Sequence, residues 1–375
     1  MRVAIDARWI FQEFSGIGVH TLELIRELGQ VAEPDEVVLL FSDDSIRRRT
    51  ISQTNTQFST ELLPYGIFSI RNQWKLISFL EARNIDVFHT TNYMMPLFGV
   101  PKHRQGKVRI VNTIHDLIPL VIRSHAPRSK KARLFPIYQR LMREIAARGD
   151  TFIAVSEATK RDLTDHLNIA SNRIEVVYNG VGKAFVPPTA PTADTTEHTR
   201  KGILYVGRCD PYKNLLLLIE SFARVRAEMP HVNLHIIGSR DERYPEPEQR
   251  AFELGVRDAI RWDGYVTEEE LVSAYQQAAV LVMPSSYEGF GLPVAEAMAC
   301  GTPVISSRAA SLPEIGGPAA SYFDLVVPET LDQQLLTVLG NPRFQANMSA
   351  EGLDYVKRFS WANMAKDTWA IYNQT

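Results

Sequence analysis

The chain has 375 residues, 45% of them hydrophobic and 22% charged, with a formal net charge of −2; that length supports about two domains, each with its own core. Near-neutral charge gives no electrostatic footprint for nucleic acid, and two cysteines, Cys209 and Cys300, without repeated Cys/His spacing exclude a disulfide framework and a structural zinc site. Met1-Arg-Val-Ala-Ile leads directly into a strand pattern, with neither a signal-peptide pattern nor an apolar run of about 18 residues, so the expectation is a cytoplasmic protein.

In the first half, the runs at 3–5, 37–41, 86–89, 109–113, 152–155 and 174–178 read as strands, and amphipathic helical patterns separate them. The same alternation returns in the second half, with strand patterns at 203–206, 233–237, 260–262, 280–282 and 303–305. Strand and helix in alternation predict parallel sheets built from βαβ units, an α/β protein. The low-complexity stretch 187–199 is rich in Pro and Thr and marks the start of the second domain.

Within the first half, Asp6-Ala-Arg-Trp-Ile-Phe-Gln-Glu-Phe-Ser-Gly16-Ile-Gly18-Val-His20 joins a strand to a helix through a glycine-bearing loop. Its spacing is not the dinucleotide fingerprint, so the expected role is a loop closing on phosphates and acceptor. Asn112-Thr-Ile-His115-Asp116 ends a strand, and Ser156 stands where either a ligand contact or a helix cap is expected. Residues 123–148 hold eight Arg or Lys and one acid, Glu144, interleaved with apolar residues. That pattern fits a peripheral contact with an anionic inner-membrane leaflet, or a solvated basic helix.

Two phrases in the second half carry phosphate chemistry. Gly207-Arg-Cys-Asp-Pro-Tyr-Lys213 follows a strand, at the carboxyl edge where open α/β sheets bind ligands. Arg208 can fork onto phosphate oxygens and Lys213 adds a point charge, which together can stabilise a leaving nucleoside diphosphate without a metal. Farther on, Glu288-Gly289-Phe290-Gly291-Leu292-Pro293-Val-Ala-Glu296 places two carboxylates around a glycine turn that opens a helix. Pro293 suits the first helical turn and the amides there can hold a diphosphate. Glu296 is placed to accept from a ribose diol, and Glu288 faces the sugar beyond the phosphates.

The phrase from Glu288 to Val304 closely resembles the signature of retaining glycosyltransferases of family 4, and the resemblance covers nearly the whole chain. It implies a GT-B fold of two Rossmann-like domains facing each other across a cleft, residues 1–182 on the acceptor side and 183–357 on the nucleotide-sugar side. Residues 358–375 would form a helix crossing back to the first domain. By the same resemblance Gly16, Gly18, Gly207, Arg208, Lys213, Glu288, Gly289, Phe290, Gly291, Leu292 and Glu296 bind the donor. His115, Glu288, Arg208 and Lys213 are the catalytic set, and the base pocket forms near Ile237-Gly-Ser-Arg240 and Gly264-Tyr-Val266. The likeness to bacterial mannosyltransferases of surface-polysaccharide synthesis implies transfer of a hexose, mannose from GDP-mannose, to a saccharide or lipid-linked saccharide, with no metal and no other cofactor. A UDP-sugar-dependent transferase, a GT-B nucleotide-sugar epimerase and a catalytically silent glycan-binding subunit are the alternatives.

Overall fold

Runs such as Val37-Val-Leu-Leu-Phe41 are apolar at every position because both faces of a parallel sheet are covered by helices, and this run is buried throughout. The computed structural model describes residues 1–12, 15–102, 106–123, 127–128, 134–188 and 202–374. In the first half, strands β1 (Val3–Asp6), β2 (Val37–Phe41), β3 (Ser59–Leu62), β4 (Val87–Thr90), β5 (Arg109–Ile114), β6 (Thr151–Ala154) and β7 (Ile174–Val176) form one sheet. Its order is β3-β2-β1-β4-β5-β6-β7, with every pair parallel. The second sheet joins β8 (Ile203–Val206), β9 (Leu234–Ile237), β10 (Ile260–Asp263), β11 (Val280–Met283), β12 (Val304–Ser307) and β13 (Ser321–Phe323) in the order β10-β9-β8-β11-β12-β13.

The helices include α1 (Gly16–Leu28), α2 (Asp44–Thr54), α3 (Ile70–Ala82), α4 (Phe135–Arg148), α5 (Glu157–Leu167), α6 (Leu215–Glu228), α7 (Glu246–Glu253), α8 (Glu268–Gln277), α9 (Leu292–Ala299) and, after two helices at Glu329–Gly340 and Pro342–Tyr355, the terminal α10 (Trp361–Asn373). Local chemistry starts them. Ser156 accepts from the Thr159 amide at 3.1 Å and caps α5, and Thr267 with Glu270 closes a capping box on α8. Ser156 is therefore a cap.

The chain divides into two compact units, residues 1–121, 133–180 and 360–375 in one, and 122–132 and 181–359 in the other. The segment 122–132 falls with the second unit, which the sequence did not foresee. Arg128 supplies the reason: its amide donates to the Tyr244 hydroxyl at 3.2 Å and its guanidinium pairs with Glu246 at 2.6 Å. The terminal helix α10 packs on α1 within the first unit. Arg109 donates to the carbonyls of Ile371 at 2.7 Å and Tyr372 at 2.5 Å, satisfying the end of α10.

In each sheet the strand order reverses once, between β1 and β4 and between β8 and β11. Ligands of open α/β sheets bind outside the strand ends at such points. At the first reversal Asp6 and Arg8 form a bidentate pair, Nε to Oδ1 and a terminal nitrogen to Oδ2, both at 2.7 Å. Their side chains are 1% and 0% exposed. A terminal guanidinium nitrogen also donates to Asn72 Oδ1 at 2.9 Å, so the pair locks the end of β1 to the start of α3. Removing one partner leaves an uncompensated buried charge. Asp6→Ala should therefore cost about 3–5 kcal/mol in urea unfolding, and a loss below about 1 kcal/mol would reduce the pair to the worth of a surface bridge.

Candidate active site

The second reversal sets two loops side by side. The loop after β8 is fixed to the loop after β11 by Asn214, whose amide donates to the Pro284 carbonyl and the Ser286 hydroxyl, both at 2.8 Å. The Ser286 amide in turn donates to the Tyr212 carbonyl at 2.7 Å. Held this way, Lys213 Nζ reaches Glu288 Oε1 at 2.6 Å, with the two side chains 13% and 11% exposed. The Ser285 hydroxyl donates to the same oxygen at 2.6 Å. Ser311, from beyond β12, donates to the carbonyls of Glu288 at 2.9 Å and Phe290 at 2.8 Å, bracing the turn. Arg208 stands apart from this cluster: its Nε pairs with Asp210 at 2.8 Å while its side chain stays 72% exposed. A mostly covered ammonium and a solvent-facing guanidinium thus share one loop.

Gly291 heads α9 at φ +95°, in the left-handed region that favours glycine. The amides of the first turn of α9 then point out of the helix head, an anion-binding arrangement. At Gly238, the first residue after β9, a Cβ would lie 1.9 Å from the Gly207 carbonyl oxygen, so the start of the Arg208 loop fits only against a bare backbone. Glu296 is half-buried one turn into α9. It accepts from the Tyr275 hydroxyl at 2.8 Å, and burial, only partly offset by that bond, pushes its carboxyl up to about 7. Its neighbourhood differs from that of Glu288, which has an ammonium at hand.

Gly264, Tyr265 and Val266 line a polar cavity of about 630 Å³ with Ile237 and Asp263. Arg240 does not line this cavity; it pairs with Glu248 at 2.8 Å and lies over the Trp262 ring.

In the first unit, Gly16 and Gly18 form the head of α1, where Ser15 accepts from the Gly18 amide at 3.2 Å. His115 follows β5 and its Nε2 lies 2.9 Å from the Thr91 carbonyl. A carbonyl only accepts, so Nε2 carries the proton and Nδ1 is left as an acceptor. Burial lowers His115 to about 4, which keeps it neutral at physiological pH. Sequence reasoning quoted His20 without a role, yet its ring packs edge-on against His115 at 4.7 Å. His20 Nδ1 meets Asn179 Oδ1 at 2.8 Å, while its Nε2 is buried with no hydrogen-bond partner among the described residues. Nothing local in the sequence links residues 20, 115 and 179; only the sheet order brings them together.

Two Rossmann-like units in one chain are the GT-B architecture, shared with a solved sucrose-phosphate synthase from Thermosynechococcus elongatus at a TM-score of 0.74 and 20% identity, over 100% of this chain and 98% of that one. The chain belongs to the family 4, group 1 glycosyltransferases: residues 14–184 match Glycosyltransferase Family 4 and residues 191–354 match Glycosyl transferases group 1. Its relatives include an O-antigen chain mannosyltransferase B of Escherichia coli, 26% identical over 99% of both chains. Another is an MMP alpha-(1->4)-mannosyltransferase of Mycolicibacterium hassiacum, 31% identical over 62% of this chain and 56% of that protein.

The contrast between the two cations is testable by mutation. Lys213→Ala strands a buried carboxylate and should cost roughly 3–5 kcal/mol of stability as well as activity. Arg208→Ala should leave the unfolding midpoint within error and lower turnover by about 10²-fold, the scale of losing one donor to developing charge. Calorimetry and steady-state kinetics on both variants check this, and an unfolding midpoint that drops equally in the two would contradict it.

A nucleotide held through Glu296 should bind with an affinity that depends on pH. A diol donates to the ionised carboxylate, so binding below about pH 7 must first expel the proton. Affinity should rise as pH rises toward 7 and level off above it. Conversely, the raised carboxyl stabilises the unliganded fold most fully below its ordinary value of 4.5, and that contribution is lost as pH climbs through 7. Titration calorimetry with a nucleoside diphosphate on the wild type and Glu296→Gln separates this from titration of the phosphates, which both proteins share. Identical pH profiles would remove Glu296 from the nucleotide site.

Proposed function

We propose that the protein is a retaining hexosyltransferase that moves mannose from GDP-mannose to a saccharide or lipid-linked saccharide in surface-polysaccharide synthesis. The observation that carries the reading is the Lys213–Glu288 pair, 2.6 Å apart beside the head of α9, in a chain that belongs to this family. An ammonium has three donors. Lys213 can hold Glu288 and still give a hydrogen to a phosphate oxygen, which ties diphosphate and sugar recognition to one nitrogen.

In the proposed reaction the bond between the anomeric carbon and the diphosphate oxygen breaks, and the acceptor hydroxyl attacks the same face. The departing phosphate takes the hydroxyl proton, so no side chain need form a covalent intermediate. Arg208, Lys213 and the amides of the Gly289–Leu292 turn stabilise the negative charge that develops on that phosphate. Glu288 and His115 orient the sugar, the first as an acceptor and the second through its neutral Nδ1. The buried Nε2 of His20, without a partner among the described residues, supports a hydroxyl-bearing ligand at the same strand ends. With cationic side chains and helix amides in place, the mechanism calls for no divalent ion.

Similarity to two mannosyltransferases supports the choice of donor. Thermal shift tests it: a ligand at 100 times its dissociation constant adds about 2.7 kcal/mol to stability, so GDP should raise the midpoint more than UDP or ADP. Incubation with GDP-mannose and a suitable acceptor should yield an α-mannoside, undiminished by EDTA. Preferential stabilisation by UDP overturns the donor, a β-linked product overturns retention, and metal-restored activity overturns the ion-free mechanism.

A further inference from the structure

Buried surfaces account for most large apolar side chains, but four that stay more than half exposed gather on the first unit: Phe68 at 62%, Ile70 at 76%, Trp74 at 63% and Phe98 at 61%. Ile70 and Trp74 are one turn apart on α3 and share its outer face. The Phe98 ring lies 5.3 Å from that of Trp74. The turn that carries Phe98 is anchored to α3, since the Leu97 amide donates to Gln73 Oε1 at 2.7 Å. Phe68, just ahead of α3, packs edge-on against Trp9 at 5.7 Å. These aromatics are held outward by a rigid base.

Charge decides what covers them. Arg71 and Lys75, both exposed, follow Ile70 and Trp74 by one residue each and flank their strip along α3. The stretches that build the patch, 62–80 and 87–115, contain no Asp or Glu at all. The exposed acid of α3 is Glu81, two turns beyond Trp74 near the end of the helix, and on α4 Glu144 is paired by Lys102 at 3.0 Å and also held by Arg148. Trp set among apolar and basic side chains suits the headgroup level of a bilayer, where its amphipathic ring sits and anionic lipid attracts Lys and Arg.

We infer that the Phe68–Ile70–Trp74–Phe98 patch, flanked by Arg71 and Lys75, docks the protein on an anionic lipid surface. The inference is independent of the donor and of the transfer mechanism. It does not draw on the basic stretch 123–148. There Arg128 is committed to Glu246 and Arg148 to Glu144, while residues 124–126 and 129–133 lie outside those the structure describes.

The test is co-sedimentation of the full chain with phosphatidylglycerol-containing vesicles and with phosphatidylcholine vesicles at low and high salt. Binding should require the anionic lipid and fall with salt. Trp74→Ala with Phe98→Ala should weaken it by about tenfold or more, and each of Arg71→Glu and Lys75→Glu by at least about fivefold. Trp74→Phe should keep binding but lose part of the lipid-induced blue shift of tryptophan emission. Because all four positions are on the surface, unfolding midpoints and the shift produced by a nucleoside diphosphate should not change. Equal partition to both vesicle types, no binding at low salt, or variants that bind like the wild type each overturn the proposal. Self-association abolished by the double variant, with vesicle binding intact, would assign the patch to a second copy of the chain.

Discussion

The pairing of Lys213 with Glu288 is the constraint from which the loop arrangement of the second unit follows. Two charges that are nearly out of water pay a desolvation cost that only a close partner and further hydrogen bonds offset, and here Ser285 supplies one of those bonds. The contact also demands that two loops 75 residues apart stay in register. Parallel pairing of β8 with β11, Ile203 opposite Val280 and Leu204 opposite Leu281, puts those loops at adjacent strand ends. Asn214 and Ser286 then stitch them. The position of β11 between β8 and β12 is thus a condition for the site as much as for the core.

The two units solve the same topological problem with different chemistry. In the second unit the strand-order reversal is filled with charge: Lys213, Arg208, Asp210 and Glu288. In the first, the corresponding charge pair, Asp6 with Arg8, is sealed and serves structure. What remains for a ligand there is the neutral pair His20 and His115, with a third neutral ring behind them. That ring, His89, is lowered to about 3 by burial and bonds Thr113 at 2.8 Å and the Tyr372 hydroxyl. On the proposed function, a diphosphate meets the charged environment and an uncharged sugar hydroxyl the neutral one.

Sequence alone revealed what is local or periodic. The eleven apolar strand patterns are strands, since burial on both faces requires apolar residues at every position. The two that escaped are edges: Ser59-Thr-Glu-Leu62 is polar with no buried position, and Ser321-Tyr-Phe323 is only three residues long. Glycine and proline around α9 announced a tight turn and a helix start, and both are there. By contrast, Ser285 and Ser311 look like any loop serines, and their bonds to the Glu288 turn exist only after β11 and β12 lie together. The hold of Arg128 on Tyr244 and Glu246 was equally hidden, because nothing in a basic stretch says which unit its arginines will join. The Trp74–Phe98 contact was invisible for the same reason: each residue reads as ordinary core until the helix orientation turns it outward.

Seven residues separate Glu288 from Glu296, and identical side chains at that spacing carry no instruction about which does what. Environment draws the distinction. Glu288 gains an ammonium and a hydroxyl on one oxygen. Glu296 has a single tyrosine hydroxyl and partial burial, and its proton leaves only near neutrality. On the proposed function, the carboxylate paired with Lys213 serves geometry at the reacting end, and the carboxyl raised to about 7 gives a grip that strengthens when a diol replaces water. The spacing along α9 supplies the reach, and Lys213, arriving from a different strand, supplies the asymmetry.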